Sequence, residues 1–330
     1  MNLVTAKDPC FRDFWSQLCQ ADALQYPVYS DLNIEYQKEY FRDSQFIDVS
    51  FLVEDNRLPV AGVCAAVQTK PDGKRELSGY GWPMIFLQAH TPNCGADQRI
   101  SKIVKAELDR LSKEYSFDSI LHRDYFPTLS PVGEYLLSMG AKVRPHFTQI
   151  IDLSRSEESL HQQLRRSYQS LINWGQKNLE LKLFDSKCIQ REHLESFRQL
   201  HISVAGRQTR SQRTWDLQFE IVSQGGAFIL MGWLQGNLVT ASYYIHSSKY
   251  CYYGVSASKR ELFDKPLSHS SMWSAILHAR ALGCRFFDTG EQLFAGQVDR
   301  APTTKELSIS RFKRGFGGQT VVRLDYLWNR

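Results

Sequence analysis

Ala227-Phe228-Ile229-Leu230-Met231-Gly232-Trp233-Leu234-Gln235-Gly236-Asn237-Leu238-Val239-Thr240-Ala241-Ser242-Tyr243-Tyr244-Ile245-His246 reads as strand, tight turn, strand. Two runs rich in β-branched and aromatic residues flank a Gln-Gly-Asn turn, the signature of a hairpin. Tyr250–Val255 continues as a third strand. A helix follows from Pro266 to Leu282, with Met272, Ala275, Ile276, Ala279 and Leu282 on one face and Gly283 as its stop. Arg285–Asp288 is the next strand.

The first half shows the same order. Phe46–Val53 alternates apolar and polar residues, Glu54-Asp55-Asn56-Arg57 turns, and Leu58–Val67 returns. Gly79-Tyr80-Gly81-Trp82-Pro83 leads into a strand at Met84–Leu87. A helix over Asp97–Lys113 buries Ile100, Val104, Leu108 and Leu111. Phe117–Leu121 is a strand, Gly133–Gly140 a short helix, and Ala141–Leu153 an extended return. Leu58 matches Leu238 at an offset of 180, Gly81 matches Gly254 at 173, and Asp118 matches Asp288 at 170. Three anchors in one order indicate two copies of one αβ unit, the drift being loop-length change. Between the copies lies a helical insert. Ser154 and Glu157 have capping-box spacing, and Leu160, Leu164, Tyr168, Leu171 and Gly175 share a face. Leu179–Phe184 is then a strand, with helices near Arg191–Val204 and Thr214–Ser223.

Length agrees. The 330 residues suit about two domains of roughly 150 residues, expected at 1–150 and 151–330. Apolar residues at 42% and charged residues at 23% exclude a disordered chain, a collagen and a disulfide miniprotein. The net charge of +5 permits a phosphate-bearing ligand without requiring one. No apolar run nears the roughly 20 residues of a membrane helix, and Met1–Phe14 lacks a signal-peptide core. Seven scattered cysteines without a CxxC fit reduced thiols, so a cytoplasmic location is expected. No P-loop, GxGxxG, GxSxG or HExxH is present, and the nine histidines form no metal-ligand pair, so no metal is expected.

Two segments stand out chemically. Tyr252-Tyr253-Gly254-Val255-Ser256-Ala257-Ser258 precedes the helix at Pro266. A strand feeding a helix N-terminus offers free N–H groups to an anion, and small residues such as Ser256 permit close approach. The plain alternative is a polar loop. Lys305-Glu306-Leu307-Ser308-Ile309-Ser310-Arg311-Phe312-Lys313-Arg314-Gly315-Phe316-Gly317-Gly318 crowds Arg311, Lys313 and Arg314 beside three glycines. Cations there would hold a phosphate or a developing oxyanion. The plain alternative is a basic helix end complementing its dipole.

Residues 151–330 resemble the FemABX-like transferases and the related GNAT-type acyltransferases. The resemblance rests on Leu164-Arg165-Arg166-Ser167-Tyr168 with its helix to Lys177, on His201 through Arg207, and on Gly236-Asn237-Leu238-Val239-Thr240-Ala241. It rests also on Tyr252-Tyr253-Gly254, Ala281-Leu282-Gly283, Phe287-Asp288-Thr289-Gly290 and Phe312-Lys313-Arg314-Gly315-Phe316-Gly317-Gly318. The N-terminal half matches only in pattern. The resemblance implies two tandem GNAT-like domains, α/β (α+β) in class, with mixed, mostly antiparallel sheets flanked by helices. It implies acyl transfer to an amine, often on a cell-envelope or peptidoglycan precursor. The donor would be aminoacyl-tRNA or acyl-CoA, with no tightly bound cofactor, and the acceptor a phosphate-bearing or UDP-linked molecule. The Phe-Lys pair at the family's donor site maps onto Phe312 and Lys313. Two departures stand beside it. The glycine loop that holds coenzyme A is missing from Ser258 to Ser271, Asn93-Cys94-Gly95-Ala96 being only a remnant in the first copy. There is also no heptad-patterned arm.

In that reading Lys313 steadies the oxyanion or leaving group, and Asp288 and Glu291 are candidate bases. Arg165, Arg166, Arg207, Arg311 and Arg314, with Tyr253 and Ser256, are candidate substrate contacts. Arg165 and Arg166 are adjacent on a helix, so one of them at most faces the site. The alternative is a non-catalytic binding protein for a phosphate-bearing ligand. A general RNA binder is disfavoured by the modest charge and the lack of an RNP-type strand.

Overall fold

The computed structural model describes residues 1–89, 94–125 and 128–330, without the side chains of 94–96. Of the glycine remnant at 93–96, residue 93 and the side chains of 94–96 therefore lie outside the described residues. The chain forms two compact units: Met1–Gln25, Phe41–His146 and Val322–Arg330, and then Tyr26–Tyr40 with Phe147–Val321. The chain passes from the first unit to the second at 146/147, and each unit is discontinuous in sequence. Two segments, residues 26–40 and 322–330, belong to the unit opposite to the one that sequence order suggests.

The first unit contains β1 (Asn2–Thr5), α1 (Phe11–Ala21), β2 (Gln45–Asp48), β3 (Phe51–Asp55), β4 (Leu58–Cys64), β5 (Ala66–Thr69), β6 (Arg75–Ser78), β7 (Ile85–Gln88), α3 (Cys94–Tyr115), β8 (Ser119–Asp124) and α4 (Pro131–Ser138). The second contains α2 (Asp31–Tyr40), α5 (Glu157–Gln162), α6 (Arg166–Asn178), β10 (Glu180–Phe184), α7 (Arg191–Ala205), α8 (Gln212–Ser223), β11 (Ala227–Leu234), β12 (Asn237–His246), β13 (Tyr250–Ser258), α9 (Leu267–Ala281), β14 (Phe286–Gln292) and α10 (Thr304–Arg314). Strands β9 (Lys142–Asp152) and β15 (Gln319–Asn329) carry the chain from one unit into the other.

The two units repeat one topology. In the second the order is β10-β11-β12-β13-β14-β9, antiparallel except for the parallel pair β13–β14. In the first, β1-β3-β4-β7 is antiparallel, Met84 just ahead of β7 bridges His122 of β8 in parallel, and β8 pairs antiparallel with β15. The direction series is the same in both, except that in the first unit the strand paired in parallel with β8 is β6, and Met84 makes one isolated bridge from β8 toward the β1-β3-β4-β7 sheet. The last strand of the first unit comes from the C-terminus, which is why 322–330 leave the second half. α2 joins the second unit because it packs on α8, where Ser211 Oγ donates to Glu39 and Arg210 Nε to the Tyr36 hydroxyl.

The anchors read from sequence have the right order but not the exact register. Asp118 is exposed at the entrance to β8, where its carboxylate accepts the Arg75 N–H at 2.8 Å. Asp288 sits on the last parallel rung, opposite Tyr252, and the corresponding rung joins Met84 to His122. The strand expected over Phe46–Val53 is two strands, and so is Leu58–Val67. Both break at the same place, because Ser50 Oγ donates to Ala65 C=O and accepts the Ala65 N–H, each at 3.1 Å. The outer halves continue into a side arm of β2, β5 and β6. The expected capping box at Ser154 is displaced too. Ser154 Oγ donates to Asp152 at 2.7 Å, and Ser156 caps α5 through the Ser159 N–H.

Helix α3 buries Ile100, Val104, Leu108 and Leu111, as their spacing requires. Helix α9 is covered on more than one side, since Trp273 and Ser271 are buried with Met272, Ala275, Ile276 and Ala279. Leu282, expected on the apolar face, is 42% exposed at the C-cap beside Gly283 (φ +86°). Among the described residues no helix is long and apolar enough to cross a membrane.

Four histidines of the second unit make the fold acid-sensitive. Burial pushes His201 and His269 down to about 4, with the charges of Arg210 and Arg165 adding to it. Burial also lowers His246 and His278. These groups take up protons more readily unfolded than folded, so the stability they confer is present above about pH 6.5 and is lost as pH falls toward 4. The paired carboxylates, with depressed pKa values, lose their contribution only at lower pH. The melting temperature is expected to fall by about 5 °C or more between pH 7.5 and pH 5. A flat profile over that range would contradict the assignment.

Candidate functional site

Strands β13 and β14 pair over three rungs, Tyr250↔Phe286, Cys251↔Phe287 and Tyr252↔Asp288, and then part. Each strand is interrupted there. The β12–β13 register shifts between Tyr243 and Tyr244, so Gly254 is an extra residue in β13. A methyl group on Gly254 would press on Tyr243 Cδ1 at 3.3 Å, so the bulge suits glycine. The β14–β9 ladder breaks between Asp288 and Glu291, around Gly290 at φ +88°. A notch opens between the strands.

The Asp288 carboxylate is 0% exposed. It accepts from the Tyr250 hydroxyl at 2.6 Å, from the Gly290 N–H at 2.7 Å and from the Thr148 hydroxyl. Those donors fix the turn that shapes the notch. Lys313 enters from the last turn of α10, whose start is set by a Thr303–Glu306 capping box. A methyl group on Gly290 would lie 3.0 Å from Lys313 Nζ. The ammonium donates to Glu291 C=O at 3.5 Å and stands 6.0 Å from the Tyr253 ring centre. Burial lowers its pKa, partly offset by Asp288 and Glu291. Among the described residues no carboxylate forms an ion pair with it. The Glu291 carboxylate is engaged by Arg300, at 3.0 and 3.1 Å.

The glycines after α10 are required by close approach. A methyl on Gly315 would fall 2.2 Å from the Tyr168 ring, and one on Gly318 (φ +76°) 2.3 Å from Ile150 O. The Tyr168 hydroxyl donates to Phe312 C=O at 3.0 Å, and Tyr168, Phe312, Phe316 and His269 form one aromatic cluster. Arg165 is drawn in beside it. Its N–H donates to Gly315 C=O at 2.8 Å and its guanidinium to Arg311 C=O at 3.0 Å. Arg314 donates to Gln292 Oε1 at 3.2 Å and lies over the Phe294 ring. Burial and the charges of Arg165 and Arg311 lower its pKa. Arg165, Arg311 and Arg314 have no carboxylate ion pair among the described residues, so positive charge accumulates beside the notch.

The structure thus groups Phe312, Lys313, Asp288, Glu291, Tyr253, Arg165, Arg311 and Arg314. Tyr253 stacks on Tyr244, with ring centres 5.4 Å apart. Ser256 is exposed on β13 beyond the bulge, opposite Ser242. Arg166 is exposed and joins none of these contacts, and Arg207 is exposed just after the α7 cap at Gly206. Sequence reading missed Tyr250, Tyr252 and Thr148. Tyr252 opens a segment already singled out and Tyr250 lies just ahead of it in the same strand, whereas Thr148 is 140 residues away from Asp288 and carries no local signal. The anion site expected at the N-terminus of α9 is encroached upon by α6. A methyl on Gly175 would sit 2.1 Å from Ser270 Oγ in the first helical turn, where Ser270 is buried.

No family model matches the chain. No curated protein matches it in sequence. Its fold has clear counterparts among solved structures. FemX superposes with a TM-score of 0.69 at 12% identity, covering 100% of this chain and 98% of FemX. L-PGS from Bacillus licheniformis gives 0.58 at 12% identity, covering 98% and 92%. A tandem GNAT protein from the clavulanic acid biosynthesis pathway gives 0.54 at 14% identity, covering 99% and 98%. What these proteins share with the chain is architecture, and that architecture is a FemX-like pair of GNAT-type domains in tandem.

Proposed function

We propose that the chain is an aminoacyl- or acyltransferase that forms an amide bond on an amine acceptor at the notch beside Lys313. The observation that carries this is Lys313 itself: a largely buried ammonium held where two strands part, felt by Asp288 and Glu291 but in no carboxylate ion pair among the described residues. Acyl transfer places negative charge first on the carbonyl oxygen and then on the leaving atom, and a fixed cation in a partly dry site stabilises both. The neighbouring Arg165, Arg311 and Arg314 suit a phosphate-bearing ligand.

For the donor we favour the aminoacyl ester of an RNA end over acyl-CoA. The strand-to-helix loop has no glycine, and α6 crowds the first turn of α9 where a pyrophosphate would need open N–H groups. Arg165, Arg311 and Arg314, with the half-buried Phe312 beside them, fit a nucleotide end mainly by charge. For the acceptor we favour the amine of a phosphate-bearing cell-envelope precursor, such as a UDP-linked muropeptide. The same protein as a non-catalytic binder of such a ligand is the second reading. It is favoured by Asp288 already accepting three hydrogen bonds and by Glu291 being held by Arg300.

The test mixes the protein with a UDP-linked muropeptide and either alanine esterified to a CCA-ended RNA hairpin or acetyl-CoA, and follows amide product by mass. Product from the RNA ester, declining as salt rises, is the expected result. Binding without product supports the binder, and neither binding nor product removes both readings.

A further inference from the structure

Glu291 stands beside Lys313, and the arginine that holds its carboxylate comes from a loop. Arg300 reaches both carboxylate oxygens, at 3.0 and 3.1 Å. It lies in the connector from β14 to α10, residues 293–303. Both ends of that connector are fixed. The Leu293 N–H donates to the buried Ser310 Oγ at 2.9 Å, and Thr303 closes a capping box with Glu306. Between the ends the chain is knitted to itself. The Phe294 N–H donates to Gln297 Oε1, the Gln297 N–H to Phe294 C=O and the Ala301 N–H to Gln297 C=O. This is the pattern of a compact surface loop.

The two sides of the loop differ. At its start the Phe294 ring meets Phe147 edge-on, with centres 5.2 Å apart, and carries Arg314 over its face. At its far side Val298 is 93% exposed, and Asp299 and Arg300 are exposed as well. Ala301 has φ +37°, in the left-handed region that a residue with a side chain adopts at a cost. The Arg300–Glu291 ion pair fastens this side to the site. That fastening is weak, because the two side chains are 36 and 34% exposed, and water-exposed ion pairs contribute little. A phosphate presents to the guanidinium fork the same two-oxygen edge as a carboxylate, with as much charge or more. Arg314 is anchored at Gln292, the residue after Glu291, and feels the charges of Arg165 and Arg311. An anion is therefore drawn to this side of the unit.

We infer, resting on the phosphate-bearing ligand proposed above, that Arg300 is a ligand-binding residue carried on a movable flap of residues 294–302. It holds Glu291 in the free protein and passes to a phosphate when the ligand binds. The switch of partners has a consequence at the notch. Once Arg300 leaves, the Glu291 charge acts more fully on the Lys313 ammonium, whose charged form it already favours. The cation is thus strengthened when a ligand is in place.

Three variants of the full chain decide this: Arg300→Gln, Glu291→Gln and the two together. Amide hydrogen exchange over 294–302, read by mass, should quicken about 3- to 5-fold in each single variant and no further in the double one. Effects that multiply in the double variant overturn the latch. Binding is then measured by calorimetry with UDP and with an uncharged CCA-ended RNA hairpin, which separate a nucleotide diphosphate from an RNA phosphate. For the probe whose phosphate takes Arg300, Arg300→Gln should weaken binding about 10-fold. Glu291→Gln should tighten it by about the factor seen in hydrogen exchange, because the ligand no longer has to break the pair. The double variant should bind like Arg300→Gln. Tightening that persists in the Arg300→Gln background reports charge repulsion alone and overturns the switch of partners, as does an unchanged affinity of Arg300→Gln for both probes. If the wild-type protein binds neither probe, the phosphate-ligand reading fails and the switch with it, while the hydrogen-exchange cycle still decides whether the latch exists. Binding with the expected pattern but without amide product keeps the flap and removes the transferase.

Discussion

Lys313→Met is expected to lower kcat by on the order of 100-fold or more, with KM little changed and the melting temperature equal or higher. The rate effect follows from where charge grows. A cation that meets substrate and transition state equally would alter KM, whereas one placed for the oxyanion and the leaving atom acts on kcat. The stability effect separates this from a structural lysine. Lys313 is largely withdrawn from water, its hydrogen bond to Glu291 C=O is long at 3.5 Å, and no carboxylate ion pair among the described residues compensates it. Removing such a charge relieves desolvation. A lysine that only complements a helix end would, on removal, cost about 0.3–1 kcal/mol of stability and leave the rate unchanged. The lowered pKa adds a second signature: activity should fade with rising pH below the ordinary lysine range, as the ammonium deprotonates. Turnover at the wild-type rate in folded Lys313→Met would remove the residue from the mechanism and strengthen the binding-protein reading.

The duplication was legible because hairpins and amphipathic helices obey local rules. The turn at Asn56-Arg57, both at positive φ, and the turn at Gln235-Gly236 are set by neighbouring residues, and so is the stripe on α3. Register was less legible, because it is decided across strands. Phe117-Asp118 and Phe287-Asp288 look alike, but Asp118 meets Arg75 at a strand entrance while Asp288 meets Tyr250 and Thr148 inside the sheet. The glycines after Lys313 were visible as a motif. Their reason was not, since Gly315 answers to Tyr168 and Gly318 to Ile150, both more than 140 residues earlier. Arg165 was separated from Arg166 only by the hydrogen bonds to Gly315 and Arg311. Nothing local marked residues 26–40 and 322–330 as exchanged between the units, because their partners, α8 and β8, lie far off in sequence.

That exchange leads to the second large effect. A chain ending at Val321 is expected to lose the cooperative folding of the first unit. Residues 322–330 provide that unit's last strand, pairing with β8 from Leu324↔Asp124 to Asn329↔Ser119. Tyr326 is buried against His122, with ring centres 5.6 Å apart. Asp325, 1% exposed, accepts from Nε and Nη2 along one edge of the Arg123 guanidinium and from Arg144 at 3.2 Å. Burial pushes its carboxyl pKa up, but the Arg123 hydrogen bonds and charge hold it below the ordinary value. Truncation takes the Asp325 carboxylate away from Arg123, and breaking a buried pair from one side costs about 3–5 kcal/mol. Loss of the Tyr326 ring and of the ladder adds to this, against a total of about 5–15 kcal/mol for a whole domain. Asp325→Ala isolates the ionic part and should cost about 3–5 kcal/mol alone. Asp325→Asn, which can still accept from Arg123, should cost less. Limited proteolysis read by mass should then show cuts within 41–146 of the truncated chain, with 147–321 more resistant. A truncated chain that melts within a degree of the full one, in a single transition, would show that the C-terminal strand is dispensable to the first unit.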